Sequence, residues 1–427
     1  MKMKALAACG AVVIAALSLG PGVAGAQLRA GDFITPENAA KVKDLVSPGV
    51  YYKVERGMTM KIVPTERVEW PPPYKEATEK YSGQVRLSSD HRSVAGYVAG
   101  QPFPFVDVND PYAAEKIVWN NAFRPISTDD YDLRFYDCAS EYGGYHRPYR
   151  PIYYMQVGHY AGYSLVGRTE VQPLPIDPDF LRTGRYWLSG LYPMLAPEDA
   201  RGSGFIRFRY ADPDRGDDEW GWSPGQRRVR RINEDFLSSS PGALVGDPDH
   251  FEGFIAKTEE YDYKLLAEKP MLASAHAEHS PGIRCATDGG ASDCPEAWEM
   301  RNLYVLEATP RRDRIGQALH GKTVLYVDSE AWFEPYVDTY DRRGRLFQNS
   351  IYWLAYRDRP VPDARIAIYP FKREFVVASA QTDVQGGLST MCFLPSAETP
   401  ERECWYINMN SVDRDFFTVS AMVKSAP

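Results

Sequence analysis

The chain is poor in the side chains that carry most metal and nucleophilic chemistry. It has seven His and six Cys in 427 residues, with no C-x-x-C spacing, no H-E-x-x-H order and no G-x-S-x-G nucleophile elbow. A zincin and an α/β-hydrolase are therefore unsupported, and zinc is left as the minor competing reading for the cysteines. Long apolar runs are also missing after the first 26 residues: no later segment approaches the 18 uncharged apolar residues that a membrane-spanning helix needs. There is no basic excess either, with 49 Lys and Arg against 57 Asp and Glu and a formal net charge of −8, which argues against a nucleic-acid partner.

The amino terminus carries the clearest signal. Met-Lys-Met-Lys is followed by an uncharged apolar run from Ala5 to Leu19, a break at Gly20-Pro21-Gly22, and the small-x-small tripeptide Ala24-Gly25-Ala26. That order reads as a cleavable signal peptide over residues 1–26, with the exported protein starting at Gln27. Cys9 lies inside the apolar run without a small-residue cleavage context before it, so no lipid anchor is expected. Export to an oxidising compartment lets cysteines pair. Of the five remaining, Cys285 with Cys294 and Cys392 with Cys404 bracket loop-like stretches and are expected to form two short-loop disulfides, leaving Cys138 as a buried thiol.

No Ser/Gly linker or low-complexity tract divides residues 27–427, so one large β-rich domain is expected. Thirty-three Gly, 33 Pro and 28 Tyr favour strands joined by turns. Alternating runs predict strands at Phe205–Tyr210, Leu303–Ala308, Thr323–Asp328 and Leu346–Tyr356. Hairpin turns are expected at Asp341-Arg-Arg-Gly344 and Ser223-Pro-Gly-Gln226. Helices are few: Pro36 to about Val46 behind a Thr35 cap, Pro111 to Trp119, and Tyr74 to Tyr81.

Several motifs have bland readings. Gly316-Gln-Ala-Leu-His-Gly-Lys-Thr323 matches a phosphate loop in letters, but Val-Leu-Tyr-Val-Asp follows it, a strand where that loop needs a helix N-terminus. Asp212-Pro-Asp-Arg-Gly-Asp-Asp-Glu219 is acidic enough for Ca²⁺, yet Gly216 breaks the ligand order and a solvated hairpin loop is the better reading. His276-Ala-Glu-His279 lacks the metal order. No residue is assigned a catalytic role, and no metal or cofactor is called for. Aromatic and basic patterning on strands is what remains. Trp220, Trp222, Trp332, Tyr336, Tyr352 and Trp353 are candidates to line an apolar cavity, the alternative being ordinary core. Arg228 and Arg230, in the run Arg227-Arg-Val-Arg-Arg231, are candidates to touch an anionic head group or a partner, the alternative being a solvated strand face.

Longer stretches carry a resemblance. Trp70-Pro-Pro-Pro-Tyr-Lys-Glu-Ala-Thr-Glu-Lys-Tyr-Ser82, Tyr97-Val-Ala-Gly-Gln-Pro-Phe-Pro104, Tyr192-Pro-Met-Leu-Ala-Pro-Glu-Asp199, Trp220-Gly-Trp-Ser-Pro-Gly-Gln-Arg-Arg-Val-Arg-Arg231 and Asp247-Pro-Asp-His-Phe-Glu-Gly253 resemble the family called domain of unknown function 1329. That family is similar to the periplasmic lipoprotein carriers LolA and LolB. The resemblance implies an α+β, mostly β fold: a large, strongly curved antiparallel sheet forming a half-barrel, with a few helices covering its concave face. It also implies a non-enzymatic periplasmic carrier or chaperone for a lipid, acyl chain or other apolar ligand, working with an RND-class exporter or an outer-membrane protein. The alternative is an adaptor or structural subunit of such a transport system that carries nothing itself.

Overall fold

The computed structural model describes residues 28–142, 154–232, 250, 252–277, 297–311, 320–395 and 403–425. The expected signal peptide, the Cys285 and Cys294 pair, the first half of the phosphate-loop match and His279 lie outside them. The strands, in chain order, are β1 Phe33–Ile34, β2 Met60–Ile62, β3 Arg86–Leu87, β4 Val94–Ala95, β5 Asp130–Tyr142, β6 Tyr154–Ser164, β7 Arg185–Ala196, β8 Gly204–Tyr210, β9 Asp218–Ser223, β10 Arg228–Arg231, β11 Tyr261–Ala273, β12 Ala297–Pro310, β13 Lys322–Asp328, β14 Tyr336–Tyr340, β15 Leu346–Arg357, β16 Arg373–Asp383, β17 Leu388–Phe393 and β18 Trp405–Ile407. Sixteen of them form one sheet in the order β1-β2-β12-β13-β14-β15-β16-β17-β5-β6-β7-β8-β9-β10, with β11 added to β12 and β18 to β5. Its pairings are antiparallel except β12 with β2.

All four predicted strands form, and so do both turns. The Asp341 hairpin shows why. The Asp341 carboxylate accepts from the amides of Arg343 and Arg345, both at 2.9 Å, and Gly344 sits at φ 75°, where a side chain would be strained. Prolines set the helix starts: α2 spans Pro72–Tyr81 and α3 spans Ala113–Ala122, close to expectation. The expected helix to Val46 is instead a 3₁₀ turn over Pro36–Val42, and α1 follows at Pro48–Val54. Pro48 disfavours helical backbone at Ser47, so the chain breaks there and restarts, with the Ser47 hydroxyl capping the Val50 amide at 3.2 Å.

The first turn of α1 is pinned to the sheet. Asp338 of β14 accepts from Ser47 Oγ and the Gly49 amide, each at 3.0 Å, and from Asn349 Nδ2 at 2.8 Å. A Cβ at Gly49 would lie 2.3 Å from the Asp338 carboxylate, so only glycine allows this approach. Burial pushes the Asp338 carboxyl up to about 6 in spite of the three donors.

The sheet is rolled. The segment leading into β11 touches the β8–β9 turn: Lys257 Nζ donates to the carbonyls of Asp212 (2.9 Å) and Arg215 (2.5 Å), and Arg209 Nη1 donates to Ile255 O. In the strand order β11 and β8 are ten neighbours apart, which at the usual spacing is roughly 48 Å along a flat sheet. Contact across that interval requires strong curvature. No ladder joins β10 to β11 among the described residues, so the sheet is open rather than a closed barrel.

Both faces of the middle strands are covered. Asn349, Ile351 and Trp353 of β15 share the face that carries α1, while Tyr352 points the other way, its hydroxyl donating to His250 O at 2.7 Å. His250 and residues 252–256 lie over that second face, Gln381 Nε2 also donating to His250 O at 2.8 Å, with Arg124, just after α3, donating to Glu252 O. The last helix, Val419–Lys424, packs on β8 and β9 over Tyr163, Leu188 and Phe208. Among the described residues no helix is long and apolar enough to cross a membrane.

Candidate functional site

The site forms where β5 runs past its partners. β17 pairs with β5 from Asp137 to Tyr142, and β18 takes the same edge from Tyr131 to Leu133. β16 likewise outruns β17, which pairs only with Ala378–Asp383 and leaves Arg373–Val377 without a strand on that side. Side chains have to fill this gap between β16, β18 and β5. They leave a small cleft of about 20 Å³, room for about one water molecule, lined by Arg124, Ile126, Ser127, Tyr131, Glu252, Phe333, Val376, Trp405 and Ile407.

Its chemistry divides into an apolar wall and a polar end. Trp405 packs edge-on against Phe375 and is 2% exposed, and its Nε1 has no hydrogen-bond partner among the described residues. Arg124 follows α3. Its Nη1 donates to Asn121 O at 3.1 Å and its Nη2 to the Glu252 carbonyl at 2.7 Å, with the guanidinium 4.9 Å from the Phe333 ring centroid. Three carboxyls feel that charge, Glu334 and Glu374 buried and Glu252 half-buried. Glu334 accepts from Asn121 Nδ2 and the Phe254 amide, yet burial still raises its pKa. Desolvation pushes Glu252 up to about 7 and Glu374 of β16 up to about 8, the latter helped by Asp328 and Glu330. The arrangement sets the guanidinium of Arg124 and the Trp405 indole N–H beside an apolar wall.

The six aromatic residues expected to share a cavity are not brought together. Tyr336 and Trp353 lie on the α1 face of the sheet, and Tyr352 lies on the opposite face. Period-2 alternation makes that unavoidable for neighbours in one strand. Trp332, in the β13–β14 connection at φ 55°, stacks on Tyr304 at 5.8 Å, and all four of these rings are at most 3% exposed inside the main core. Trp220 and Trp222 are half-buried in a second cluster under the last helix, Trp220 against Phe208 at 5.1 Å. Arg228 and Arg230 stand exposed on β10, an outer strand of the sheet, whereas Arg231 pairs with Asp218.

The cysteine pairing is corrected. Cys392 is bonded to Cys138, not Cys404, because the two are register partners on β17 and β5 with Cα atoms 4.1 Å apart. Cys404, just ahead of β18, is buried, its Sγ donating to Phe135 O at 3.8 Å. The acidic turn is not simply solvated either. Asp217 pairs with Arg209 at 2.8 Å, Glu219 with Arg207, and the Lys257 ammonium caps the turn's carbonyls where a cation would sit. His276 Nδ1 is held by Glu299 at 2.6 Å.

Arg124, Glu252 and the wall from Val376 to Ile407 went unremarked in the sequence. A lone Arg two residues beyond a helix carries no local signal; only the strand pairing places it.

Comparison with known proteins places this architecture. A family model described as a protein of unknown function, DUF1329, matches residues 33–423. The chain belongs to the DUF1329 family. Over 151 residues, it is 24% identical to an uncharacterized protein of Pseudomonas aeruginosa; that alignment takes in 34% of this DUF1329 chain and about a third, 33%, of the relative's length. Among solved structures, it is similar to a Vibrio parahaemolyticus protein described as an outer membrane lipoprotein-sorting domain, at 14% identity and a TM-score of 0.46, covering 73% of this chain and 98% of that one. It is also similar to a LolA superfamily protein from Nitrosomonas europaea, at 14% identity and a TM-score of 0.38, covering 72% and 98% respectively.

Proposed function

We propose that this DUF1329 protein is a periplasmic carrier that shields the apolar part of a lipid or acyl chain, exchanging it with a membrane exporter. The observation that carries the reading is the rolled, open sheet with a small cleft at the β16–β18–β5 gap, where Ile126, Phe333, Val376, Trp405 and Ile407 form an apolar wall beside the Trp405 Nε1 donor, which has no partner among the described residues. Each methylene moved from water onto such a wall gains about 0.8 kcal/mol, enough for binding without chemistry. The test is uptake of a fluorescent fatty acid, together with mass spectrometry of organic extracts of protein purified from a periplasm. The expected result is saturable uptake that Ser127→Phe, which fills the cleft from its rim, reduces at least tenfold. Absence of any extractable lipid and of uptake by the wild type would sink the reading.

A second reading, an adaptor that carries nothing, has one observation in its favour: Trp332, Tyr336, Tyr352 and Trp353 are packed as core. Its contact with a partner would use Arg228 and Arg230 on the outer strand. Retention of an RND-class exporter by the immobilised protein, lost in the Arg228→Glu/Arg230→Glu double variant and unaffected by Ser127→Phe, would select it.

A further inference from the structure

Half of the large apolar side chains left exposed among the described residues stand at one end of the sheet. Of ten, five are Leu174, Leu181, Ile366, Ile368 and Met409. They sit in the β6–β7 connection, the β15–β16 loop and the stretch after β18. These leave the sheet at the same end, because β15, β16, β17, β5, β6 and β7 alternate in direction and β18 runs against β5. Glu170 ties the three together, accepting from Arg373 Nη2 at the start of β16 and from Asn408 Nδ2 after β18, both at 2.6 Å. The β15–β16 loop is fastened, so its exposed side chains are held out rather than left over. Ala364, Ala367 and Tyr369 are buried, the Tyr369 amide donates to Asp358 O at 2.8 Å, and the Tyr369 hydroxyl accepts from the Ile407 amide at 2.7 Å. Between these anchors Ile366 and Ile368 are 62% and 45% exposed.

We propose that this end of the sheet docks on a lipid bilayer carrying anionic head groups, with Ile366 and Ile368 entering the head-group layer. The charges beside them fit that partner. Arg365 and Lys372 are exposed on either side of the pair and have no ion-pair partner among the described residues, Lys372 lying 5.5 Å over the Tyr356 ring. Of the nearby carboxylates, Asp358 is paired with Arg359 at 2.9 Å, Glu403 accepts from the Arg365 amide, and Asp363 is exposed. Long cationic side chains reach head-group phosphates while their stems lie along the apolar layer. A protein partner is the poorer fit. Exposed Asp363, Arg365, Pro370 and Lys372 interrupt the apolar tips, so they form no continuous apolar face of the roughly 800 Å² that a protein partner covers; a bilayer interface takes such tips one at a time. Such docking needs neither a cargo nor an exporter, and so goes beyond carriage.

The test is co-sedimentation of the full-length protein with vesicles of phosphatidylethanolamine and phosphatidylglycerol, beside vesicles of phosphatidylcholine alone. Wild type is expected to bind the anionic vesicles at least about tenfold tighter, a preference that falls as salt rises from about 0.05 to about 0.5 M. Ile366→Asp/Ile368→Asp should lower binding to both vesicles at least about tenfold. Arg365→Gln/Lys372→Gln should bring the anionic vesicles down to the level of phosphatidylcholine and leave the latter unchanged. Leu266→Asp, at an exposed apolar site on β11, should change nothing. All five positions are exposed, so the variants keep the core. Wild type that binds neither vesicle, or an isoleucine variant that binds as wild type does, overturns the proposal. So does an isoleucine variant that loses a retained exporter when the wild type binds no vesicle, which makes this end a protein contact. Fatty-acid uptake without vesicle binding overturns the docking and leaves the carrier reading standing. Vesicle binding that is lost in the isoleucine variant, without any uptake, does the reverse.

Discussion

Replacing Cys138 and Cys392 together by Ala removes a bond between strands that come from opposite ends of the chain. The two residues are 254 positions apart, yet they face each other across adjacent strands β5 and β17. In the chain-entropy account, releasing a loop of that size costs about 5.5 kcal/mol at 25 °C, and native disulfides usually deliver about 2–5 kcal/mol because the unfolded chain keeps some structure. The double variant is therefore expected to lose about 3–5 kcal/mol. Urea denaturation followed by tryptophan fluorescence and far-UV circular dichroism measures it, with Cys404→Ala as the control expected to lose no more than about 1 kcal/mol. Proteolysis without reduction, after alkylation of free thiols in denaturant, should give a peptide joining Cys138 to Cys392 and an alkylated Cys404. A peptide joining Cys392 to Cys404, or a double variant within about 1 kcal/mol of wild type, would refute the reasoning.

Two further outcomes follow from buried charges. Glu374 has its carboxyl raised by burial to about 8, so the folded state holds a proton that the unfolded chain releases near its ordinary value of 4.5. The stability this proton supplies is complete below that value and is lost as pH rises towards about 8; Glu374→Gln should flatten the fall by about 2–4 kcal/mol in a pH series of melting curves, and an unchanged slope would count against it. Lys257 is 4% exposed and its ammonium caps the carbonyls of the acidic turn, so Lys257→Met should cost about 2–4 kcal/mol. Calcium should neither stabilise the wild type nor rescue the variant; a melting temperature that rises with Ca²⁺ would restore the metal reading of Asp212–Glu219.

What was legible in the sequence is what neighbours decide. The Asp341 turn is built by an Asp and a Gly three residues apart, and β13 by a run of β-branched and aromatic residues, so both could be read locally. The opposite facing of Tyr352 and Trp353 was also available from their adjacency, and grouping them as one lining overlooked it. Distant partners decide the rest. Short spacing favoured Cys392 with Cys404, but the register of β17 on β5 outranks spacing. α1 depends on Asp338, nearly 300 residues away, to complete its first turn. The acidic turn looked solvated because nothing nearby in sequence announces Lys257.

The same long-range pairing explains where the cleft lies. Inside a sheet, backbone ladders fix strands about 4.8 Å apart, and side chains pack over them with little freedom to leave a void. At the β16–β17–β5 junction the ladder stops early: β17 ends at Phe393, the Leu394 amide turns to Val377 O at 3.1 Å, and β18 resumes on β5 only at Leu133. Between these points Arg373–Val377 of β16 faces β5 without a strand to bridge them, and Trp405, Arg124 and Glu252 arrive from three separate segments. Widening a gap of this kind breaks no ladder hydrogen bond, whereas making room at Trp353 and Tyr336 would take apart the packed core. The Cys138–Cys392 bond joins β5 to β17 beside the gap, so the two strands that border it are tied covalently as well as by their ladder.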